Sequence, residues 1–214
     1  MKRDESHVKG SVPSFSRRVV IATGNPGKLR EIRAILAGHE LEVVAQSEFG
    51  ISPPVEDGDS YVANALIKAR NAASVTGLPA IADDSGLEVD ALGGRPGIHA
   101  ARYSGPEVDA EANNDKLLAE LAELPQARRG ARYRCAMVFV RDVADPAPVV
   151  AEASWEGSIG FERRGRGGFG YDPLFSVAGT DVTVAEMPEE NKNRVSHRGK
   201  ALAELAEKMR AAGW

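Results

Sequence analysis

Cysteine is almost absent from the chain. Cys135 is the only one, so no intrachain disulfide framework can form, and the composition suits a reducing compartment such as the cytoplasm. Apolar runs are short as well, and none approaches the roughly 18 residues that a membrane span needs. The first 18 residues, "MKRDESHVKGSVPSFSRR", lack the apolar centre of a signal peptide. They read as a flexible extension, residues 1–18, ahead of a single domain, residues 19–214. Positive charge is not in excess: the formal net charge is -4, and aromatic residues make up only 6%. Both argue against nucleic acid or an anionic membrane as a partner. A small anionic ligand still fits, because a local cluster of Lys and Arg is enough to bind one. The phosphate-loop spacing G-x-x-x-x-G-K-[ST] is missing.

What is present suffices for a substantial core: 214 residues, 43% of them hydrophobic. "RRVVIATGN" predicts a buried strand from Val19 to Ala22, followed by a turn and a helix from about Lys28. "LEVVAQ" is a second strand. A helix from Ser60 to Thr76 carries Val62, Leu66, Ala69 and Ala73 as its apolar stripe, and Asp57 or Asp59 is placed to cap it. "PAIAD" predicts a third, short strand stopped at Ser85-Gly86. Helix returns from Asp109 to Leu124. "ARYRCAMVFVRDV" and "PVVAEASWEGSIG" form a long hairpin, and a last helix runs from Ser196 to Ala212. Tyr133, Cys135, Met137 and Phe139 share one strand face, which makes Cys135 a core thiol. The expected fold is α/β: an elongated mixed central sheet flanked by helices, in two lobes with a cleft between them.

Four features carry chemistry. The turn "TGNPGK", Thr23 to Lys28, opens a helix, and either a simple helix cap or a phosphate cradle fits it. Lys28 opposes the positive end of that helix dipole, and so do His197, Arg198 and Lys200 behind the N-cap Ser196. Two basic helix starts in an acidic protein point to an anion between them. Asp83 and Asp84 are adjacent in a strand, so their side chains point to opposite faces. One of them suits a hard divalent cation, which takes one or two carboxylates together with water and phosphate, and the other suits hydrogen bonds to the protein. Phe169 or Tyr171 in "GGFGYDP" can stack on a purine, with the other in the core.

"TGNPGK", "EDGDSYVANALIKAR", "IADDSGLEVDALGGRPGIHAARYSG", "GGFGYDPLF" and "SHRGKAL", in that order, resemble the inosine triphosphate pyrophosphatase family. The resemblance implies an Mg²⁺-dependent hydrolase, usually a homodimer, that converts non-standard purine nucleoside triphosphates (ITP, dITP, XTP) to the monophosphate and pyrophosphate. It implies that Thr23, Gly24, Asn25, Pro26, Gly27 and Lys28 hold phosphates and that Asp84 is the catalytic acid/base at the metal, beside Ser85. Phe169, Gly170, Tyr171 and Asp172 line the nucleoside pocket, completed by Lys192, His197 and Arg198. Some relatives carry a metal-binding Glu where Val55 stands here. The adjacent Glu56 is the candidate second ligand, and Asp83 a further one.

Overall fold

The computed structural model describes residues 17–214. The expected extension therefore lies outside the described residues, apart from Arg17 and Arg18. These two already belong to the first strand, β1 (Arg17–Ile21). The other elements are α1 (Pro26–Leu36), β2 (Leu41–Ala45), α2 (Tyr61–Thr76), β3 (Ala80–Val89), β4 (Pro96–Gly97), α3 (Ala110–Glu120), β5 (Gly130–Val140), β6 (Val149–Ile159), β7 (Phe175–Val177), α4 (Glu189–Val195) and α5 (His197–Ala211). Six strands run in the order β2-β1-β3-β5-β6-β7, and β4 pairs with β3. The β2-β1-β3 pairings are parallel and the rest antiparallel, which makes the mixed sheet expected from the sequence.

Both sheet faces are covered. On one, Ile32 and Leu36 of α1 and Leu202, Leu205 and Met209 of α5 pack on Val19, Ile21, Ile81, Met137 and Phe139. Cys135 is buried among them, and burial pushes its thiol up to about 12, so it is an inert core group. On the other face α2 packs through Ala65, Ala69, Ala72 and Ala73. Of the expected stripe, Ala69 and Ala73 are buried while Val62 and Leu66 are only partly so; small side chains let this helix lie closer to the sheet than a Leu ridge would allow. Its N-cap is Ser60, whose Oγ accepts from the Ala63 amide at 3.3 Å, not Asp57 or Asp59. A third cluster, built on Leu87, Tyr133, Trp155, Phe175 and Leu117, forms the second lobe around the far end of β3 and β5.

The third strand is longer than the sequence suggested. β3 pairs with β1 at only two positions, Val20↔Ala80 and Ile21↔Ile81, then continues along β5 to Val89↔Ala131. Ser85-Gly86 does not end it. Gly86 sits in the strand because the Gly97 backbone passes beside it, where a Cβ would come within 2.9 Å of the Gly97 carbonyl carbon. β1 stops where β3 carries on. That mismatch opens a notch in the sheet, and Asp83 and Asp84 stand in it.

Candidate active site

The notch leads into a cavity of about 560 Å³ between the lobes. Of the residues expected to bind substrate or metal, Thr23, Gly24, Asn25, Pro26, Lys28, Glu56, Asp84, Ser85, Phe169, Gly170, Tyr171, Asp172, Lys192, His197 and Arg198 all line it. Gly27 and Asp83 do not. Gly27 is buried under Phe169, whose ring lies 2.6 Å from where a Cβ would be.

The turn before α1 is a capped helix start. Asn25 Oδ1 accepts from the amides of Gly27 at 2.8 Å and Lys28 at 3.2 Å, and Thr23 Oγ1 accepts from the Asn25 amide at 3.2 Å. These amides are therefore already paired. Within the turn, the Gly24 amide is left without a partner among the described residues. At α5, Ser196 Oγ caps the Gly199 amide at 3.1 Å.

The anion that both basic helix starts call for is supplied by the protein itself. Asp83, fully buried on the α1–α5 face, pairs with Lys28 Nζ at 2.9 Å and Arg198 Nη2 at 3.2 Å. Burial works against its charge, but Lys28, Arg198 and Lys68 outweigh it and hold the carboxyl well below the usual range. Arg198 donates further to Ser85 Oγ at 2.9 Å and to Glu31. Glu31, a buried acid on α1 that sequence reasoning missed, also takes Lys192 Nζ at 2.7 Å. Lys192 in turn pairs with Asp172 at 2.6 Å and lies 4.4 Å from the Phe169 ring centroid. Arg198 at the start of α5 is thus tied to carboxylates of the protein. His197 is neutral, held well below its ordinary value by burial first and by Arg198 and Lys192 next. Its ring stacks on Tyr133 at 4.7 Å, and among the described residues its Nδ1 has no partner.

Asp172 and Tyr171 turn out to be framework residues. Asp172 accepts from Tyr133 Oη at 3.1 Å and from the Phe169 amide at 2.9 Å, fixing the loop that carries Phe169. Tyr171 is buried and donates to the Ala100 carbonyl at 2.8 Å. Phe169, half-buried at the cavity wall, is the aromatic left available for stacking.

Asp84 faces the opposite way, toward α2. Lys68 Nζ bridges Asp84 Oδ1 and Glu56 Oε2, at 2.9 Å from each. Asn64, also missed from sequence, donates to Asp84 at 3.4 Å and accepts the Gly58 amide at 2.9 Å, which ties the acidic loop to the strand. Burial raises the Asp84 carboxyl above its usual range; Lys68 and Lys28 pull it back only in part, and the neighbouring Asp83 charge raises it again. Glu56 thus reaches the site, whereas Val55 is 79% exposed. Polar residues at positions 64 and 68, one turn apart on an alanine-lined helix face, were the available signal for this pair.

In all, Lys28, Lys68, Lys192 and Arg198 face Glu31, Glu56, Asp83, Asp84 and Asp172, a formal excess of one negative charge. Two carboxylates converging on one cation at Lys68 form a hard-oxygen donor pair. Among the described residues no group of three or more His, Cys, Asp or Glu could hold a metal by itself. A cation shared with phosphate oxygens is the kind such a pair suits, as Mg²⁺ is.

The family model described as Ham1 matches residues 19–208. The chain belongs to the Ham1 family. It is 56% identical over 195 residues to a Methylococcus capsulatus protein named dITP/XTP pyrophosphatase, covering 91% of this chain and 97% of that one. A Thioalkalivibrio sulfidiphilus protein of the same name is 55% identical, covering 90% and 98%. Among solved structures, a HAM1 protein from Coxiella burnetii superposes with a TM-score of 0.83 at 39% identity, covering 91% of this chain and 99% of that one. The family resemblance read from the five motifs is borne out, and so is the α/β fold. No described helix is long and apolar enough to cross a membrane.

Proposed function

We propose that residues 19–214 act as one catalytic domain that hydrolyses ITP, dITP and XTP to the monophosphate and pyrophosphate. The observation that carries this reading is the Glu56–Lys68–Asp84 bridge in a cleft that the Thr23–Lys28 turn also lines. The names of the close relatives support the same chemistry.

Glu56 and Asp84 would hold Mg²⁺, which when bound offsets phosphate charge and polarises the phosphorus for attack. A cluster that is net negative disfavours a bare triphosphate, so the nucleotide enters with its cation. Asp84, raised by burial, is suited to take the proton of the attacking water. Lys28 lines the cleft at the α1 turn, where it neutralises the departing pyrophosphate. Phe169 stacks on the purine. The His197 and Arg198 amides at the start of α5, without partners among the described residues, and the Nη1 hydrogen of Arg198 not used by Glu31 donate to a 6-oxo group and meet a 6-amino group donor to donor. Mismatched buried donors are the strong form of rejection. Lys192, Asp172 and Glu31 hold these groups in place. A homodimer in the cytoplasm completes the proposal, with neither nucleic acid nor membrane as partner; light scattering tests the dimer.

The deciding experiment incubates the protein with Mg²⁺ and a panel of ITP, dITP, XTP, GTP and ATP, identifying both products. Pyrophosphate with IMP is expected from ITP. Phosphate with IDP, or preference for ATP, would overturn the reading, and binding without turnover would make the protein a nucleotide sensor.

A further inference from the structure

Each of the four cations inside the cleft already has a carboxylate partner. Arg102 differs. It lines the same cleft with an exposed side chain that, among the described residues, makes no ion pair and no hydrogen bond. Its backbone, by contrast, is held from both sides. Tyr171 Oη donates to the Ala100 carbonyl at 2.8 Å and Asn113 Nδ2 to the Ala101 carbonyl at 3.0 Å. Lys116 Nζ donates to the Tyr103 carbonyl at 2.7 Å, and the Ser104 amide to Asn113 Oδ1 at 2.6 Å. Tyr171 and Asn113 are buried, so well-ordered polar groups fix the short turn on which this one unpartnered guanidinium rides.

From this we infer that Arg102 binds the polyphosphate of the incoming nucleotide at the exposed edge of the cleft and draws it toward the net-negative interior. This rests on the nucleotide-hydrolysis reading above. A phosphate reaching Lys28, Lys192 or Arg198 must exchange with a carboxylate, whereas Arg102 has nothing to exchange. Its planar fork of donors also matches phosphate oxygens better than a Lys ammonium does. Electrostatic steering of this kind raises encounter rates by about 10–10³ and is screened by salt.

The test measures ITP turnover by the full chain with Mg²⁺ over a range of ionic strength. Arg102→Gln is expected to lower kcat/KM roughly ten-fold at low salt, through KM, and to flatten its salt dependence. Arg102→Lys should restore most of that dependence, and Arg102→Glu should lower kcat/KM further. Melting temperatures should not move, since the side chain has no protein partner. Calorimetric binding of inorganic tripolyphosphate should weaken about ten-fold in Arg102→Gln. Unchanged kcat/KM, salt slope and tripolyphosphate affinity would overturn the inference. If the wild type turns over no ITP, the hydrolysis reading falls, while tripolyphosphate binding still decides the role of Arg102.

Discussion

Asp83 and Asp84 are chemically identical neighbours on one strand, both buried, and the protein treats them in opposite ways. Asp83 faces the starts of α1 and α5, with two cations in direct contact, and its carboxyl is held down despite burial. Asp84 faces α2 with one cation, Lys68, shared with Glu56, and there burial prevails and lifts it. The first is a fixed charge that joins two helix termini to the sheet. The second is a carboxylate whose proton affinity burial has raised. A strand can present a reactive acid on one face when the other face anchors it.

The largest expected effect separates the two. Asp84→Asn should lower kcat by about 10²–10⁴ while leaving the melting temperature close to wild type. Pyrophosphate release alongside a thermal melt would check both, and a folded variant with normal turnover would erase the distinction. Asp83→Asn should act chiefly on the fold, costing about 3–5 kcal/mol in urea unfolding, because buried Lys28 and Arg198 lose their shared counter-charge. Equal stability in the two Asn variants would break the comparison.

Lys68→Met sharpens it further. Lys68 lowers the Asp84 carboxyl, so its removal raises that carboxyl again, and the acid limb of the kcat/KM profile should move to higher pH. A limb that stays in place would assign the titration to another group. The smallest effect is on acid stability. The Asp83 carboxyl is depressed in the folded state, so its contribution is fully present above an ordinary Asp value of about 3.9 and is lost as pH falls toward its lower folded value. Asp84 is raised and acts with the opposite sign. The stability lost below about pH 4 should therefore be shallower in Asp83→Asn than in wild type, measured by urea titration across pH.

Much of this arrangement was legible in the chain. The two-residue strand period put the aspartates on opposite faces, and Ser196 was readable as a cap. The basic helix starts correctly demanded an anion, but the expected ligand was only half the answer, since Asp83 and Glu31 already serve there. β3 was read too short because Ser-Gly resembles a turn, and its continuation depends on β5, about fifty residues away. The α2 stripe was read correctly at Ala69 and Ala73, but Ala65 and Ala72 were missed, and Val62 and Leu66 only flank the contact.

Local order along the chain determined most of the elements, the motif series and the family, because periodicity, caps and turn chemistry act over a few residues. Tertiary structure alone decided which charges meet. Arg198 finds Asp83 at a sequence separation of 115 and Glu31 at 167, and no local rule fixes pairings over such distances. The same folding set burial against Coulomb attraction at each aspartate, and that balance holds one carboxyl down and lifts the other.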